Sequence, residues 1–360
     1  MADISVLNGF WNECRSSHPE CHSETQQYFS SLYRDPALLL RVIDVVTDRV
    51  ILAPLNCSYV ALSYVWGSNR SRGLQRDDFL ESLRDGVLSS DAYVQLNRSS
   101  LPLTISDAMQ FVKLMGLQYL WVDQLCIVQD DPEELLYTIK AMNKIYGASA
   151  FTIIASGKDA GSGLPGVNNN PRHLDPIIGS ADNITLFHAP PDPATKGLHP
   201  LGTSTWMSRG WTYQELYFSQ KQFIFAADRI YYNCRKRLKV ETSPGNRFSS
   251  MKRFSQPITD SDPFKQYVAH IEDYSRRSLT YPDDILNAFS GIMSDMSEKM
   301  ASNHIMVQED EVSNGCLEAD YNVVQHFRAG LGQAGSGPSI IQLTFSPRSM
   351  VMNITIISVH

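Results

Sequence analysis

The chain has 360 residues, 43% of them hydrophobic and 19% charged, a globular composition that excludes a fibrous or wholly disordered protein. Its formal net charge of -7 gives no overall attraction toward nucleic acid or an anionic membrane. No signal-peptide pattern and no apolar window of bilayer-spanning length occur, so we expect a soluble cytoplasmic protein without a membrane span.

Residues 1–37 are predicted to form an N-terminal helical segment that carries a compact set of Cys and His side chains. Cys14, His18, Cys21 and His22 are soft metal ligands, and their spacing suits part of a tetrahedral zinc site. However, Pro19 interrupts any single helix that would carry all four, and a second spaced ligand pair is absent. The sequence therefore favours no metal and no required cofactor, with zinc as the weaker alternative.

Two β patterns come next. Residues 38–55 contain two β-rich runs separated by a Thr-Asp pair, which has the composition of a hairpin turn. Residues 59–67, YVALSYVWG, form a short apolar run closed by Gly67, which predicts a buried strand leading into a loop. Residues 68–100 are polar and charged, and we expect a loop with some helix.

Helical and extended patterns alternate over the following residues. Thr104 or Ser106 is a candidate N-cap for a helix that runs to about Met115, because apolar residues recur there at helical spacing. Strands are predicted for YLWVDQLCIV and AFTIIAS, with the helical segment EELLYTIKAMNKIYG between them. The order strand, helix, strand, helix, strand predicts a parallel sheet with helices on its faces.

The second half of the chain is less regular. Residues 157–200 are rich in turn-forming residues and predict a loop region with one short strand, ITLFHA. The GKDAGSGLPG loop lacks the ending of a phosphate-binding P-loop, so we interpret it as a flexible connection. A helix entered from Gly210, the strands KQFIFA and RIYYNC around a turn at Asp228, and a helix in DDILNAFSGIM are predicted next. From about Ala301 the pattern fades.

Three blocks, with the GSGLPG loop between the second and the third, carry a family resemblance. They are residues 59–67, residues 101–131 with the continuation MNKIYGASAFTIIAS, and SRGWTYQEL at 208–216. Together the blocks resemble the fungal heterokaryon-incompatibility (HET) family. The resemblance implies a HET domain at 38–235, followed by a helical extension at 236–300 and a divergent or poorly ordered tail at 301–360.

The HET domain is similar to the Toll/interleukin-1 receptor (TIR) superfamily. That similarity implies an α/β fold with a TIR/flavodoxin-like parallel sheet flanked by helices, here with an N-terminal hairpin and a C-terminal helical segment. Some TIR proteins cleave NAD with a glutamate in a Trp-Cys-x-x-Glu-Leu pattern. The segment Trp211 to Leu216 matches this pattern with Thr212 in place of the cysteine, which nominates Glu215 as the catalytic residue.

Cleavage of the nicotinamide-ribose bond develops positive charge on the ribose, which a fixed carboxylate stabilises. Ligands of open parallel sheets bind beyond the carboxyl ends of the strands. The predicted substrate-binding residues are therefore Ser63, Trp66, Gly67, Asp123, Arg209 and Trp211.

Each of these residues also has a structural interpretation. Glu215 suits a solvated helix position, and Asp123, inside an apolar run, requires either a strand end or a partner such as Arg209. Tryptophans in strands, among them Trp121, are more often core residues than ring-stacking ligand contacts. Cys126 suits a buried, inert thiol.

The resemblance implies a function in heterokaryon incompatibility, through non-self recognition and cell-death signalling. Two mechanisms remain open: hydrolysis of NAD by the clustered domain, or signalling through protein-protein contacts alone. We expect self-association and partners among other incompatibility or NLR-type signalling proteins, and no nucleic acid. A zinc-dependent transcription regulator is disfavoured by the acidic charge balance.

Overall fold

A computed structural model of the chain describes residues 1–67, 72–80, 92–172, 177–181, 184–187, 202–227, 229–241, 262–304, 339–346 and 351–358. The chain divides into two compact units. The first comprises residues 1–207 and 215–255, and the second comprises residues 208–214 and 256–360. In the described part of the chain, no helix is long and apolar enough to cross a membrane.

The first unit combines short helices with a large sheet and a separate two-stranded hairpin. Its helices are α1 (Ile4–Ser17), α2 (Pro19–Tyr33), α3 (Arg76–Leu80), α4 (Leu103–Leu114), α5 (Asp123–Cys126), α6 (Pro132–Lys140) and α7 (Met142–Ala148), and it includes the end of α8 (Trp211–Phe218). Its strands are β1 (Arg41–Asp44), β2 (Arg49–Leu52), β3 (Tyr59–Ser63), β4 (Tyr93–Gln95), β5 (Tyr119–Trp121), β6 (Thr152–Ala155), β7 (Ile177–Ala181), β8 (Ile184–Phe187), β9 (Lys221–Phe225), β10 (Ile230–Cys234) and β11 (Leu238–Val240). A 3-10 turn covers Arg98–Ser100.

Nine strands form one sheet in the order β11-β10-β9-β6-β3-β5-β1-β2-β4. The four neighbours β5, β3, β6 and β9 are mutually parallel. In chain order these four strands have the spatial order 2-1-3-4, which is the flavodoxin-like order. The strand order reverses between β3 and β6, and folds of this type bind ligands beyond the carboxyl ends of the strands at such a reversal.

Antiparallel strands extend the sheet at both edges. The predicted N-terminal hairpin forms from β1 and β2, and β1 also pairs antiparallel with β5, so the hairpin joins the sheet. At the other edge β9 and β10 form the second predicted hairpin, whose turn residue Asp228 lies outside the described residues. The α/β class with flanking helices is confirmed. The parallel character holds for the four central strands only, because both flanks are built from hairpins.

Both faces of the central strands are buried, which explains their continuous apolar sequences. On one face, Phe111 of α4 packs edge-on against Phe223 and Phe225 of β9, with ring centroids 5.5 and 5.0 Å apart. Side chains alternate along a strand, so Ile224 points to the opposite face, where it belongs to a cluster with Trp206 and Leu216.

Several predicted boundaries shift. Helix α4 begins at Leu103 after Pro102, so Thr104 and Ser106 lie inside the helix and neither is its N-cap. Strand β5 stops at Trp121, because residues 123–126 turn into the short helix α5. The long predicted helix before β6 is two helices, α6 and α7, which break at residue 141.

The glycine-rich loop after β6 is fixed to α4, which corrects its interpretation as a flexible connection. The backbone N–H of Gly163 donates to Thr104 Oγ1 at 3.0 Å, and the N–H of Leu164 donates to Asp107 Oδ2 at 2.9 Å. Asn168 Nδ2 also donates to Asp107 Oδ1 at 2.6 Å. The wholly buried carboxylate of Asp107 thus accepts hydrogen bonds from the loop, which explains why a carboxylate occurs on the apolar face of α4. Beyond the loop, β7 and β8 pair antiparallel where one strand was predicted.

The second unit combines helices, 3-10 turns and one antiparallel pair of strands. It contains the start of α8, the 3-10 turns Pro282–Ile285 and Asn287–Phe289, helices α9 (Pro263–Ser275) and α10 (Ser290–His304), and strands β12 (Ser339–Ser346) and β13 (Val351–Ser358). The helix predicted to open at Asp283 starts only at Ser290, because the chain first forms the two 3-10 turns. Within the segment 301–360, predicted to be a divergent tail, the described strands β12 and β13 pair antiparallel.

Candidate functional site

The candidate site lies in the first unit, at the carboxyl end of β3. Ser63 is the last residue of this strand and is fully buried. It stands in register with Ile154 of the parallel strand β6, so both side chains point to the same face of the sheet. The predicted ligand-binding position at the strand reversal therefore carries a buried hydroxyl group.

Helix α8 supplies the carboxylate of the site. Glu215 belongs to the first unit, and only 6% of its surface is exposed, which corrects the interpretation as a solvated helix residue. The neighbouring Leu216 packs in the cluster with Trp206 and Ile224. This packing holds the carboxylate next to the end of β3, where Ser63 Oγ donates a hydrogen bond to Glu215 Oε2.

Hydrogen-bond chemistry fixes the direction of this contact. Trp206 Nε1 lies 2.7 Å from Ser63 Oγ, and an indole nitrogen can only donate. The hydroxyl of Ser63 therefore accepts from Trp206 and directs its single proton to Glu215. The bond from Trp206 thus orients the Ser63 hydroxyl, and the bond from Ser63 supplies the buried carboxylate with a donor that its burial requires.

Tyr146 of α7 also borders the carboxylate. Its hydroxyl donates to the carbonyl oxygen of Leu62 at 3.2 Å. Burial, followed by the negative charges of Glu215 and Asp123, raises the pKa of Tyr146 well above its ordinary value. Tyr146 therefore stays a neutral hydrogen-bond donor over the whole physiological range of pH.

The residues after β3 and β5 meet each other. Trp66 Nε1 donates to Asp123 Oδ2 at 2.9 Å, and the N–H of Gln124 donates to Asp123 Oδ1 at 2.7 Å. Tyr64 donates through its hydroxyl to Gln124 Oε1 at 2.8 Å. Asp123 thus has partners from its own helix and from the loop after β3, as its position inside an apolar run requires.

Gly67 adopts a left-handed conformation with φ +81°, in the loop after β3. A Cβ atom at this position would lie 2.6 Å from the Cβ of Asp159, in the loop after β6. Only glycine fits both the backbone conformation and this close approach. The glycine allows the loops that follow β3 and β6, the two strands at the reversal, to come together.

Arg209 and Trp211, the other two predicted substrate-binding residues, belong to the second unit. Trp211 Nε1 is 3.4 Å from Asp284 Oδ2. The carbonyl oxygen of Arg209 accepts a hydrogen bond from Arg277 at 3.2 Å, and its backbone forms an isolated bridge with Ser278. Their function in substrate binding stays a prediction.

Two residues are part of the core. Trp121 is fully buried in β5, and its ring contacts that of Tyr146 edge-on with centroids 5.5 Å apart. Cys126 is buried, and burial raises the pKa of its thiol to about 12, so the thiol is protonated near neutral pH. Neither residue has the accessibility that ligand stacking or nucleophilic attack requires.

The N-terminal Cys and His residues lie elsewhere in the first unit. Cys14, His18 and Cys21 converge with Cys234 of β10, whereas His22 is exposed and outside this group. The sequence interpretation included His22 and did not include Cys234, which lies 216 residues beyond His18 in the chain.

Sequence reasoning also missed two members of the candidate site. Trp206 and Tyr146 are both fully or almost fully buried, and both are hydrogen-bonded through their polar atoms. Their signals in the sequence were weak: Trp206 stands just before the block SRGWTYQEL, and Tyr146 lies inside the block MNKIYGASAFTIIAS. Their hydrogen-bond partners, Ser63 and Leu62, both lie on β3, which is distant in the sequence, and no local pattern reveals such contacts.

Part of the chain is similar to a known protein family. Residues 59–215 match the family described as "Heterokaryon incompatibility protein (HET)". This range begins at β3 and ends at Glu215, so it contains both partners of the central hydrogen bond.

A curated fungal protein is similar over part of its length. The chain is 28% identical over 171 residues to "Heterokaryon incompatibility protein 6, OR allele" of Neurospora crassa, which covers 42% of this chain. The match covers about a fifth, 22%, of the length of that relative. No solved structure matches the chain.

Proposed function

We propose that the chain acts in heterokaryon incompatibility and that its HET domain hydrolyses NAD to nicotinamide and ADP-ribose when several copies are clustered. The family match and the name of the Neurospora relative support the first part of the proposal. The buried carboxylate of Glu215, held by Ser63 at the carboxyl end of β3, supports the second part.

The reaction breaks the bond between the nicotinamide nitrogen and the anomeric carbon of the ribose. The bonding electron pair leaves with nicotinamide, which becomes neutral, and the anomeric carbon acquires oxocarbenium character. A water oxygen then bonds to that carbon, and the water releases one proton. A fixed carboxylate beside the carbon stabilises the developing positive charge, and nicotinamide requires no protonation to leave.

The hydrogen bonds around Glu215 suit the stabilisation of this positive charge. Ser63 and Trp206 hold the Glu215 carboxylate in one position before the substrate arrives, so little reorganisation accompanies charge development. Trp66, Gly67 and Asp123, near the same strand ends, are the proposed substrate contacts of this unit. Because only 6% of Glu215 is exposed, we propose that clustering of the domain accompanies access of substrate to the carboxylate.

One observation favours a second candidate, a non-enzymatic module that signals through protein-protein contacts. The same burial and the same hydrogen bond from Ser63 give Glu215 a structural function without any substrate. In this candidate the Ser63–Glu215 pair stabilises the attachment of α8 to the sheet, and recognition uses the surface of the domain.

Nicotinamide release by purified protein separates the two candidates. The full chain is fused to an oligomerising tag, supplied with NAD, and compared with the same protein carrying Glu215→Gln. We expect NAD loss with equal nicotinamide release from the clustered wild type, and a decrease of about 100-fold or more in the variant.

A matched control distinguishes catalysis from damage to a buried carboxylate. Glu241 is also buried, with 5% of its surface exposed, and it forms an ion pair with Arg172. It directly follows β11, an edge strand of the sheet. Glu241→Gln should retain nicotinamide release per folded molecule. Absence of turnover in the clustered wild type rejects the enzymatic proposal and leaves the non-enzymatic module.

A further inference from the structure

Three cysteines and one histidine of the first unit meet at a single point. Cys14 lies in the last turn of α1, His18 between the two helices, Cys21 in the first turn of α2, and Cys234 at the end of β10. All four residues are buried, and their ligand atoms all lie within 4.8 Å of one another. His18 Nδ1 is 3.5 Å from Cys234 Sγ.

The break between the two helices creates this convergence. A proline disfavours helical geometry in the residue before it, and His18 accordingly leaves the helix with φ -124° and ψ 76°. The N–H of His18 bonds to the carbonyl of Cys14 at 3.0 Å, and the N–H of Cys21 bonds to the carbonyl of His18 at 3.1 Å. Pro19 therefore does not separate the ligands, because the turn it enforces brings Cys14 and Cys21 to the same point.

We propose that Cys14, His18, Cys21 and Cys234 bind one zinc ion in a tetrahedral structural site. Zinc-sulfur bonds of about 2.3 Å place the sulfurs of such a site about 3.8 Å apart, so a small contraction of the observed cluster suffices. Three thiolates and one imidazole are a common ligand set for zinc. Four protein ligands leave no open position for a substrate, which makes the site structural.

The charges balance on binding. Zinc displaces the three thiol protons, the imidazole binds as the neutral base, and the occupied site carries a net charge of -1. Lys221 lies beside it, with Nζ donating to the carbonyl of Cys21 at 3.2 Å and to Thr25 Oγ1 at 2.9 Å. The buried side chain of Lys221 therefore lies next to the proposed anionic site.

Ion pairs hold the same elements together. The turn between β10 and β11 is basic, and the helices that face it are acidic. Its pairs with α1 and α2 are Arg235 with Glu24, Lys236 with Glu20 at 2.8 Å, and Arg237 with Glu13 at 3.6 Å. The zinc site is thus the buried centre of a contact that ties the N-terminal helices to the far end of the sheet.

Metal content of the purified full chain tests this proposal, independently of any activity toward NAD. We expect about one zinc ion per chain by inductively coupled plasma mass spectrometry. Replacement of zinc by Co²⁺ should give the intense thiolate-to-metal absorption band of a sulfur-rich tetrahedral site. His18→Ala and Cys234→Ser should each lose most of the zinc. His22→Ala and Cys57→Ser, which alter a neighbouring histidine and a buried cysteine outside the cluster, should retain it.

Co²⁺ absorption of the wild type keeps the test valid even where a variant fails to fold. Absence of both zinc and the Co²⁺ band in wild-type protein prepared with reductant overturns the proposal. A disulfide among Cys14, Cys21 and Cys234, found by mass spectrometry in the same preparation, also overturns it. Equal zinc loss in His22→Ala and His18→Ala contradicts the assigned ligand set.

Discussion

At the scale of single residues, the hydrogen bonds of Ser63 define the candidate site. The indole N–H of Trp206 can only donate, so the Ser63 hydroxyl accepts from it and donates its own proton to Glu215. A short serine thus orients a carboxylate that the apolar surroundings would otherwise disfavour. The same arrangement supports either a catalytic or a structural function, so energetics and turnover must be measured on the same variants.

Ser63→Ala should lower the free energy of unfolding by about 1–3 kcal/mol, because it removes one hydrogen bond from each of two buried groups. Urea denaturation of the wild type, Ser63→Ala, Glu215→Gln and the double variant measures the coupling. We expect the two single changes not to add, since they alter one shared contact. Strict additivity would mean that the two side chains do not interact.

Gly67→Ala should destabilise the first unit by about 1–3 kcal/mol, since it combines a left-handed backbone with a clash against Asp159. Gly116 provides a matched control, because it has φ +75° and nothing within 4 Å of an added Cβ. Gly116→Ala should cost only about 1 kcal/mol for the backbone conformation. An equal decrease in the free energy of unfolding for both variants would show that Gly67 is not required for the close approach of the loops after β3 and β6.

At the scale of elements, side chains of helix α4 anchor the loop that follows β6 by hydrogen bonds. Asp107→Ala should free this loop, because Leu164 N–H and Asn168 lose their buried acceptor, at a cost of about 2–4 kcal/mol. Hydrogen exchange at the Leu164 amide should become much faster. Ser106→Ala, on the same helix, should leave that exchange unchanged, and slow exchange in Asp107→Ala would contradict the assigned anchor.

Within the second unit, His270 of α9 makes stability depend on pH. Its Nδ1 lies 2.8 Å from the hydroxyl of Tyr213. Burial, aided by the positive charge of Lys299 and opposed by Asp295 and Asp273, lowers the pKa of His270 from 6.5 to about 4. The folded unit therefore holds a neutral imidazole where the unfolded chain binds a proton.

Because the folded pKa is the lower one, the contribution of His270 to stability is complete above pH 6.5 and is lost as the pH falls toward 4. The loss amounts to about 3 kcal/mol over this window. About 2 kcal/mol of this loss falls between pH 7 and pH 5, where thermal unfolding of the second unit measures it against His270→Gln, which should remove this part of the pH dependence. An identical pH dependence in the variant would contradict the lowered pKa.

Elements with strong periodicity were predictable from the sequence, and their ends were not. The hairpin of β1 and β2, helix α4 and strand β6 lie where apolar spacing indicated. The start of α4 was wrong because the Thr104 hydroxyl bonds to the distant Gly163 and does not cap its own helix. Competing tertiary contacts of this kind are invisible in a local window.

At the scale of the whole chain, the sequence predicted the α/β class through the order of its elements. It did not predict the mixed sheet, because hairpin strands and parallel strands share the same apolar composition. The sequence predicted Ser63 and Glu215 as members of one site, and the sheet reversal explains why residues 152 positions apart share a hydrogen bond.

The Cys and His cluster was also predicted only in part from the sequence. Three of its members were visible as a local motif, and the fourth, Cys234, follows from the position of β10 at one edge of the sheet. Pro19 argued against a metal when the segment was considered as one helix. In the folded chain it is the residue that enforces the required turn.

A crystal structure of Glu215→Gln with NAD tests whether Glu215 is the catalytic carboxylate, because the variant should bind the substrate without cleaving it. We expect intact NAD with its nicotinamide ribose against the side chains of residues 63 and 215, beyond the carboxyl end of β3. NAD bound at another surface, or no bound NAD at saturating concentration, would contradict the claim that Glu215 is a catalytic carboxylate.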